Sequence, residues 1–192
     1  MPATTKEMDC ISKAIRTSNI EPLCLEGESA SLTRVKLEME SHGSVHFACH
    51  ATQDLENPLK SGFYLRDERL QLADLMKQKF SVRELAFLSA CQTSTSDEKL
   101  LEEGVYLASG MLAAGYRSVV ATMWSVEDQY GPMVAESFYR YLMERGKTSE
   151  GSRLDGSHAA YALHRTVQDI REKLGDTAKG LLTWVAYVHF GC

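Results

Sequence analysis

Four short apolar runs, set apart by longer segments of helical period, constrain this chain more than any other feature. The first is Val45-His46-Phe47-Ala48-Cys49-His50-Ala51 and the second is Leu85-Ala86-Phe87-Leu88-Ser89-Ala90-Cys91-Gln92-Thr93. Residues 116–123 and 181–190 give the third and fourth. Each is bounded by polar turns and reads as a buried strand. Between them, Leu101, Val105, Ala108 and Leu112 recur at helical spacing. So do Val134, Phe138, Tyr141 and Leu142, and then Leu163, Val167, Ile170 and Leu174. Strands alternating with such helices predict an α/β fold, a mostly parallel sheet with helices on both faces.

The remaining elements follow from local signals. Residues 5–16 read as a helix, 22–25 as a short strand and 26–29 as a polar turn. A helix over 31–40 has Ser31 or Thr33 as its cap. Strands over 44–49, 62–65 and 84–90 and a short helix over 70–77 come next, with an irregular polar stretch at 52–58. Helices are expected over 100–114, after Pro132 and over 157–174. Pro132 fits only a first helical turn, where its missing N–H does no harm. The run 181–190 closes the chain as a last strand. Residues 145–156 are glycine-rich and charged, and form the best candidate for a flexible or cleavable loop.

At 192 residues the chain is read as one domain, 44% hydrophobic and able to bury a core. A net charge of −5 without a strongly basic stretch argues against nucleic acid as partner. No apolar run approaches the ~20 residues of a membrane span. The N-terminus lacks a signal-peptide core, so a cytoplasmic location and no membrane partner are expected. Five cysteines at irregular spacing, Cys10, Cys24, Cys49, Cys91 and Cys192, give no disulfide framework. His46, Cys49 and His50 have the wrong strand parity for a shared metal, so neither a metal nor a cofactor is expected.

Chemistry concentrates at strand ends. In a parallel sheet the carboxyl ends of the strands open onto the ligand crevice. His50 ends the first run and Cys91 ends the second. A cysteine nucleophile beside an imidazole base is the pair that thiol catalysis needs, because the imidazole lowers the thiol pKa or takes its proton. Asp54, Glu84 and Asp97 are candidates to orient His50, and the sequence does not choose among them. Asp128 follows the third run and is either a helix cap or an acid for a basic substrate side chain.

Four segments, in order, carry a family resemblance. They are His46-Phe47-Ala48-Cys49-His50, Leu88-Ser89-Ala90-Cys91-Gln92-Thr93, residues 107–124 ending in Val119-Val120-Ala121-Thr122-Met123-Trp124, and Trp184-Val185-Ala186-Tyr187-Val188-His189-Phe190-Gly191. Together they resemble the CHAT domain, a caspase- and separase-related cysteine peptidase family. They are most like its fungal members, which often sit behind repeat arrays. The resemblance implies a caspase-like three-layer α/β/α sandwich and a catalytic dyad of His50 and Cys91. It implies an oxyanion hole from the backbone N–H groups of Cys91 and Ala51, and a role for Asp128 in binding a basic P1 side chain. The implied partners are a protein or peptide substrate and an activating partner or upstream repeat domain. Two departures stand out. Ala51 replaces the family's usual glycine, and less sequence precedes the first strand than is usual, so the chain is expected to hold the catalytic half with an upstream lobe missing. The implied activity is a cysteine endopeptidase, with two alternatives: a catalytically silent regulatory or scaffolding domain, or a protease active only after partner binding or cleavage of the 145–156 loop.

Overall fold

The computed structural model describes residues 2–18, 20–54, 56–78, 82–89, 103–145 and 154–191. Its centre is a four-stranded sheet of β1 (Ser44–Phe47), β5 (Leu85–Leu88), β6 (Ser118–Thr122) and β7 (Tyr187–Gly191), in that spatial order. β1, β5 and β6 run parallel and β7 is antiparallel to β6. The middle strand β5 is buried along its whole length, which explains its unbroken apolar sequence.

Side-chain parity divides the core into two. Leu85 and Phe87 of β5 and Val120 of β6 face α1 (Pro2–Arg16), α5 (Gly131–Arg145) and α6 (Ala159–Leu174). Ala86 and Leu88 of β5, with Val119 and Ala121 of β6, face α2 (Leu32–Ser41), α3 (Leu72–Lys77) and α4 (Glu103–Ala113). This is the expected three-layer α/β/α arrangement. Ser31 caps α2, accepting from the Arg34 N–H at 3.4 Å, and Thr33 lies inside the helix. Pro132 occupies the first turn of α5, and Val134, Phe138, Tyr141 and Leu142 all face inward.

Three elements depart from the sequence-based expectations. Residues 22–25 form no strand. A separate antiparallel sheet joins the expected strand, seen as β3 (Gly62–Tyr64), to two that were not expected, β2 (Ala51–Thr52) and β4 (Arg69–Gln71), the latter taking the first residues of the expected helix over 70–77. The run 181–190 is not one strand: α7 (Ala178–Trp184) precedes β7. Thr177 caps α7 by accepting the Gly180 N–H at 3.0 Å, and this local bond starts a helix that hydropathy alone does not reveal. Most of the expected loop at 145–156 lies outside the described residues.

Candidate active site

Parallel pairing sets the strand ends level. Phe47 of β1 lies beside Leu88 of β5, and Leu88 beside Ala121 of β6. The chain beyond each strand therefore emerges on one rim of the sheet. β7 runs the other way, so its start, and α7 before it, also lie at this rim, with Tyr187 beside Thr122. Ala48 to His50, Ser89, Trp124 to Tyr130 and α7 thus lie along one rim of the sheet.

His50 sits between β1 and β2. Its carbonyl accepts the Tyr64 N–H at 2.8 Å, which anchors it to the β2–β3 hairpin. Its Nδ1 is shielded from solvent and has no hydrogen-bond partner among the described residues. Ala51 is buried at the start of β2, opposite Phe63. Because the neighbouring His50–Tyr64 pair is the hydrogen-bonded one, the Ala51 N–H points away from β3. Its extended strand conformation suits alanine, so replacing glycine here carries no backbone strain.

Cys91, with the rest of 90–102, lies outside the described residues. Cys49, one residue before His50, is described: burial pushes its thiol up to about 12. A thiol held that high is not a nucleophile near neutral pH. Among the candidate orienting acids, Asp54 spends Oδ1 on the N–H groups of Glu56 and Asn57, at 3.1 and 2.8 Å. Glu84 precedes β5 and pairs with Arg117 at 3.7 Å, at the sheet end away from His50. Asp97 is outside the described residues. Asp128 is exposed in a turn ahead of α5, whose first residue is Gly131, so it does not hold the cap position.

The segment carrying Asp128 is fastened to α7. Trp124 Nε1 donates to the Leu182 carbonyl at 2.7 Å, and Lys179 pairs with Glu127 at 3.1 Å. Hydrogen bonding from Lys179 holds the Glu127 carboxyl below its usual range.

Beneath the rim lies a network that sequence reasoning missed. His46 projects from β1 toward α1 and α5 and stacks on Phe87 with ring centroids 4.7 Å apart. His46 Nε2 meets Glu7 Oε1 of α1 at 3.0 Å, and Nδ1 meets the Tyr139 hydroxyl at 3.1 Å. The Glu7 and His46 side chains are only 7% and 6% exposed. Burial, and then the nearby Glu7 carboxylate, push the Tyr139 phenol well above its usual range, so it stays protonated. A Cβ placed on Gly131 would lie 2.9 Å from Glu7 Oε2 and 3.6 Å from Ser89 Oγ, so both side chains approach the first residue of α5. The only sequence signal was a polar ring alternating into an apolar face, which demands buried partners without naming them.

A groove runs from His50 along the outer edge of β1. Its cavity of about 1050 Å³ is walled by α1, α2 and the segment 20–27, including Ile11, Val35 and Leu25. β1 pairs only with β5, so its other backbone edge is unpaired by any strand among the described residues.

No group of three or more His, Cys, Asp or Glu among the described residues could hold a metal ion. No helix among them is long and apolar enough to cross a membrane.

A mostly parallel sheet flanked by helices on both faces is the α/β/α architecture that the caspase-like resemblance implies. The family model described as CHAT domain matches residues 1–192, the whole chain, and the chain belongs to that family. It is thereby related to the caspase-like cysteine peptidases. A search among curated proteins found no match.

Proposed function

We propose that the chain is a caspase/separase-like cysteine endopeptidase acting through His50 and Cys91. The observation that carries this reading is the position of His50: on the carboxyl rim, three residues beyond Phe47, which is level with the end of β5, and with Nδ1 free of any described partner. Cys91 follows Leu88 by three positions in the sequence. His50 takes the thiol proton, and the thiolate attacks the scissile carbonyl. The N–H groups of Ala51 and Cys91 hold the oxyanion, an interaction worth about 2.7–4 kcal/mol per donor in measured enzymes. His50 then returns the proton to the leaving amine. A water, deprotonated by the same imidazole, hydrolyses the thioester. Asp128 takes a basic P1 side chain, and the cleavage serves a regulated signalling or cell-death pathway.

The test is covalent labelling by peptidyl electrophiles that differ only at P1, as Arg, Lys, Leu or Asp. Labelling at pH 7 is expected on Cys91 and not on Cys49, and is lost in Cys91→Ala and in His50→Ala. Preference for Arg and Lys is expected to vanish in Asp128→Ala. Labelling that survives Cys91→Ala overturns the reading.

A second reading, activity only after a partner binds, is favoured by the groove beside β1. Its apolar walls and unpaired strand edge adjoin His50, so an upstream lobe, a repeat array or another partner seated there would bear on the catalytic histidine. Full labelling of the isolated chain excludes it.

A further inference from the structure

α7 is amphipathic in reverse. Its inward positions are Gly180, Thr183 and Trp184, while Ala178, Leu181, Leu182 and Val185, spaced i, i+3, i+4 and i+7, face solvent. Leu181, Leu182 and Val185 are 40%, 62% and 41% exposed. A surface helix ordinarily turns its apolar stripe to the core, so a stripe turned outward marks a surface with an occupant.

The position of α7 identifies that occupant. The helix lies at the carboxyl rim, because Met123 N–H donates to the Ala186 carbonyl at 2.9 Å and Tyr187 pairs with Thr122. The Trp124–Leu182 and Glu127–Lys179 bonds tie it to the segment that carries Asp128. On the helix, Leu182 is the exposed apolar residue next to Lys179, so it borders that segment directly. Adjacent strands are about 4.8 Å apart, which places the start of β7 roughly 10 Å from the end of β5 along the rim. An extended peptide advances about 3.3 Å per residue, so roughly three residues cover that span.

We infer that the outward face of α7, chiefly Leu181 and Leu182 with Val185 at its end, is a substrate subsite that takes apolar side chains at P3 and P4. This rests on the peptidase reading, in which P1 lies between β5 and Asp128. The Trp124 and Lys179 tethers make α7 a fixed wall of the crevice, so selectivity for P3 and P4 is coupled to the placement of the P1 acid.

The experiment compares fluorogenic peptides with Arg at P1 and either Leu and Val or Asn and Ser at P3 and P4, together with a single-residue Arg substrate. Leu181→Asn and Leu182→Asn lie on the surface and leave the fold intact. Each is expected to lower kcat/KM for the Leu/Val peptide about ten-fold or more, the scale of burying one leucine side chain. The single-residue substrate is expected to be cleaved as by the wild type. Binding of the same peptides to Cys91→Ala, read by fluorescence polarisation, follows the subsite without turnover and is expected to favour Leu/Val. If Cys91-dependent cleavage is normal but neither kcat/KM nor binding distinguishes the peptides, the subsite is overturned and the peptidase reading stands. An equal loss on all substrates also overturns it. If no peptide is cleaved or labelled through Cys91, the peptidase reading falls and the P3/P4 subsite falls with it, and Leu/Val peptides that still bind through Leu181 and Leu182 would leave α7 a peptide-binding face without a scissile bond to align.

Discussion

The two faces of the central sheet are stabilised by different means. Toward α2, α3 and α4, the core is apolar and close-fitting: Phe47 stacks on Phe63 with centroids 4.2 Å apart, and Leu70, Leu75 and Met111 are fully buried. Toward α1, α5 and α6, apolar packing is joined by two polar networks. Glu7, His46 and Tyr139 form one, and Ser137, Arg140, Tyr141 and Asp169 form the other across α5 and α6. Apolar contact is non-directional and tolerates sliding, whereas a buried hydrogen bond fixes both partners. The polar face includes Glu7, which with Ser89 beyond β5 approaches Gly131 at the start of α5. The difference assigns the apolar face to stability and the polar face to holding the helices in register beneath the crevice.

The largest expected effect is on the apolar face. Phe63→Ala removes a ring that is wholly buried, and is expected to cost about 3–5 kcal/mol in urea unfolding. A cost near 1 kcal/mol would show that the β2–β3–β4 sheet does not contribute to the core. On the polar face, Glu7→Ala leaves His46 buried without its acceptor and is expected to cost about 3 kcal/mol. The double variant Glu7→Met, His46→Leu is expected to recover most of that loss, because it removes the orphaned group as well. A recovered stability with a slower labelling rate at Cys91 would mark the network as a positioning device; an unchanged rate would reduce it to packing. A smaller effect returns to the apolar face. Gly110 of α4 faces the Leu72 side chain so closely that a Cβ there collides with it. Gly110→Ala is expected to cost about 1–3 kcal/mol, despite alanine's better helix propensity. A gain in the thermal midpoint would show that α3 yields freely.

The apolar face is also the more legible in sequence. The runs at 85–88 and 118–122 announce buried strands, and their parity alone sorts residues between the two cores. His50 and Trp124 fall on the rim because strand-end rules depend only on element order. What sequence does not carry is pairing across distance. Nothing local links Glu7 to a histidine 39 positions on, or that histidine to Tyr139, a further 93 positions on in α5. The 181–190 run was misread for another reason. The buried positions of α7 are Gly180 and Thr183, and its leucines face out, so hydropathy signals a strand where a cap starts a helix. The β2–β3–β4 sheet was partly hidden because its strands are only two or three residues long, too short for alternation to register.

The smallest expected effect tests the second polar network by pH. Asp169 is partly buried, which by itself would raise its pKa. Hydrogen bonds from Tyr141, Ser137 and Arg140 outweigh that and hold the carboxyl below its usual value. A carboxyl depressed in the folded state contributes stability above its unfolded pKa of about 4, and that contribution is lost as pH falls through the folded value. Asp169→Asn keeps the shape but loses the charge that strengthens the bond from Arg140. The variant is expected to be about 1 kcal/mol less stable than the wild type at pH 7. The gap should hold down to about pH 4 and close as the wild-type carboxylate protonates at lower pH. Urea midpoints of both proteins between pH 7 and pH 2.5 measure it directly. A gap that persists at the acid end would assign the loss to side-chain geometry, and the α5–α6 contact would then resemble the apolar face, held by fit and not by charge.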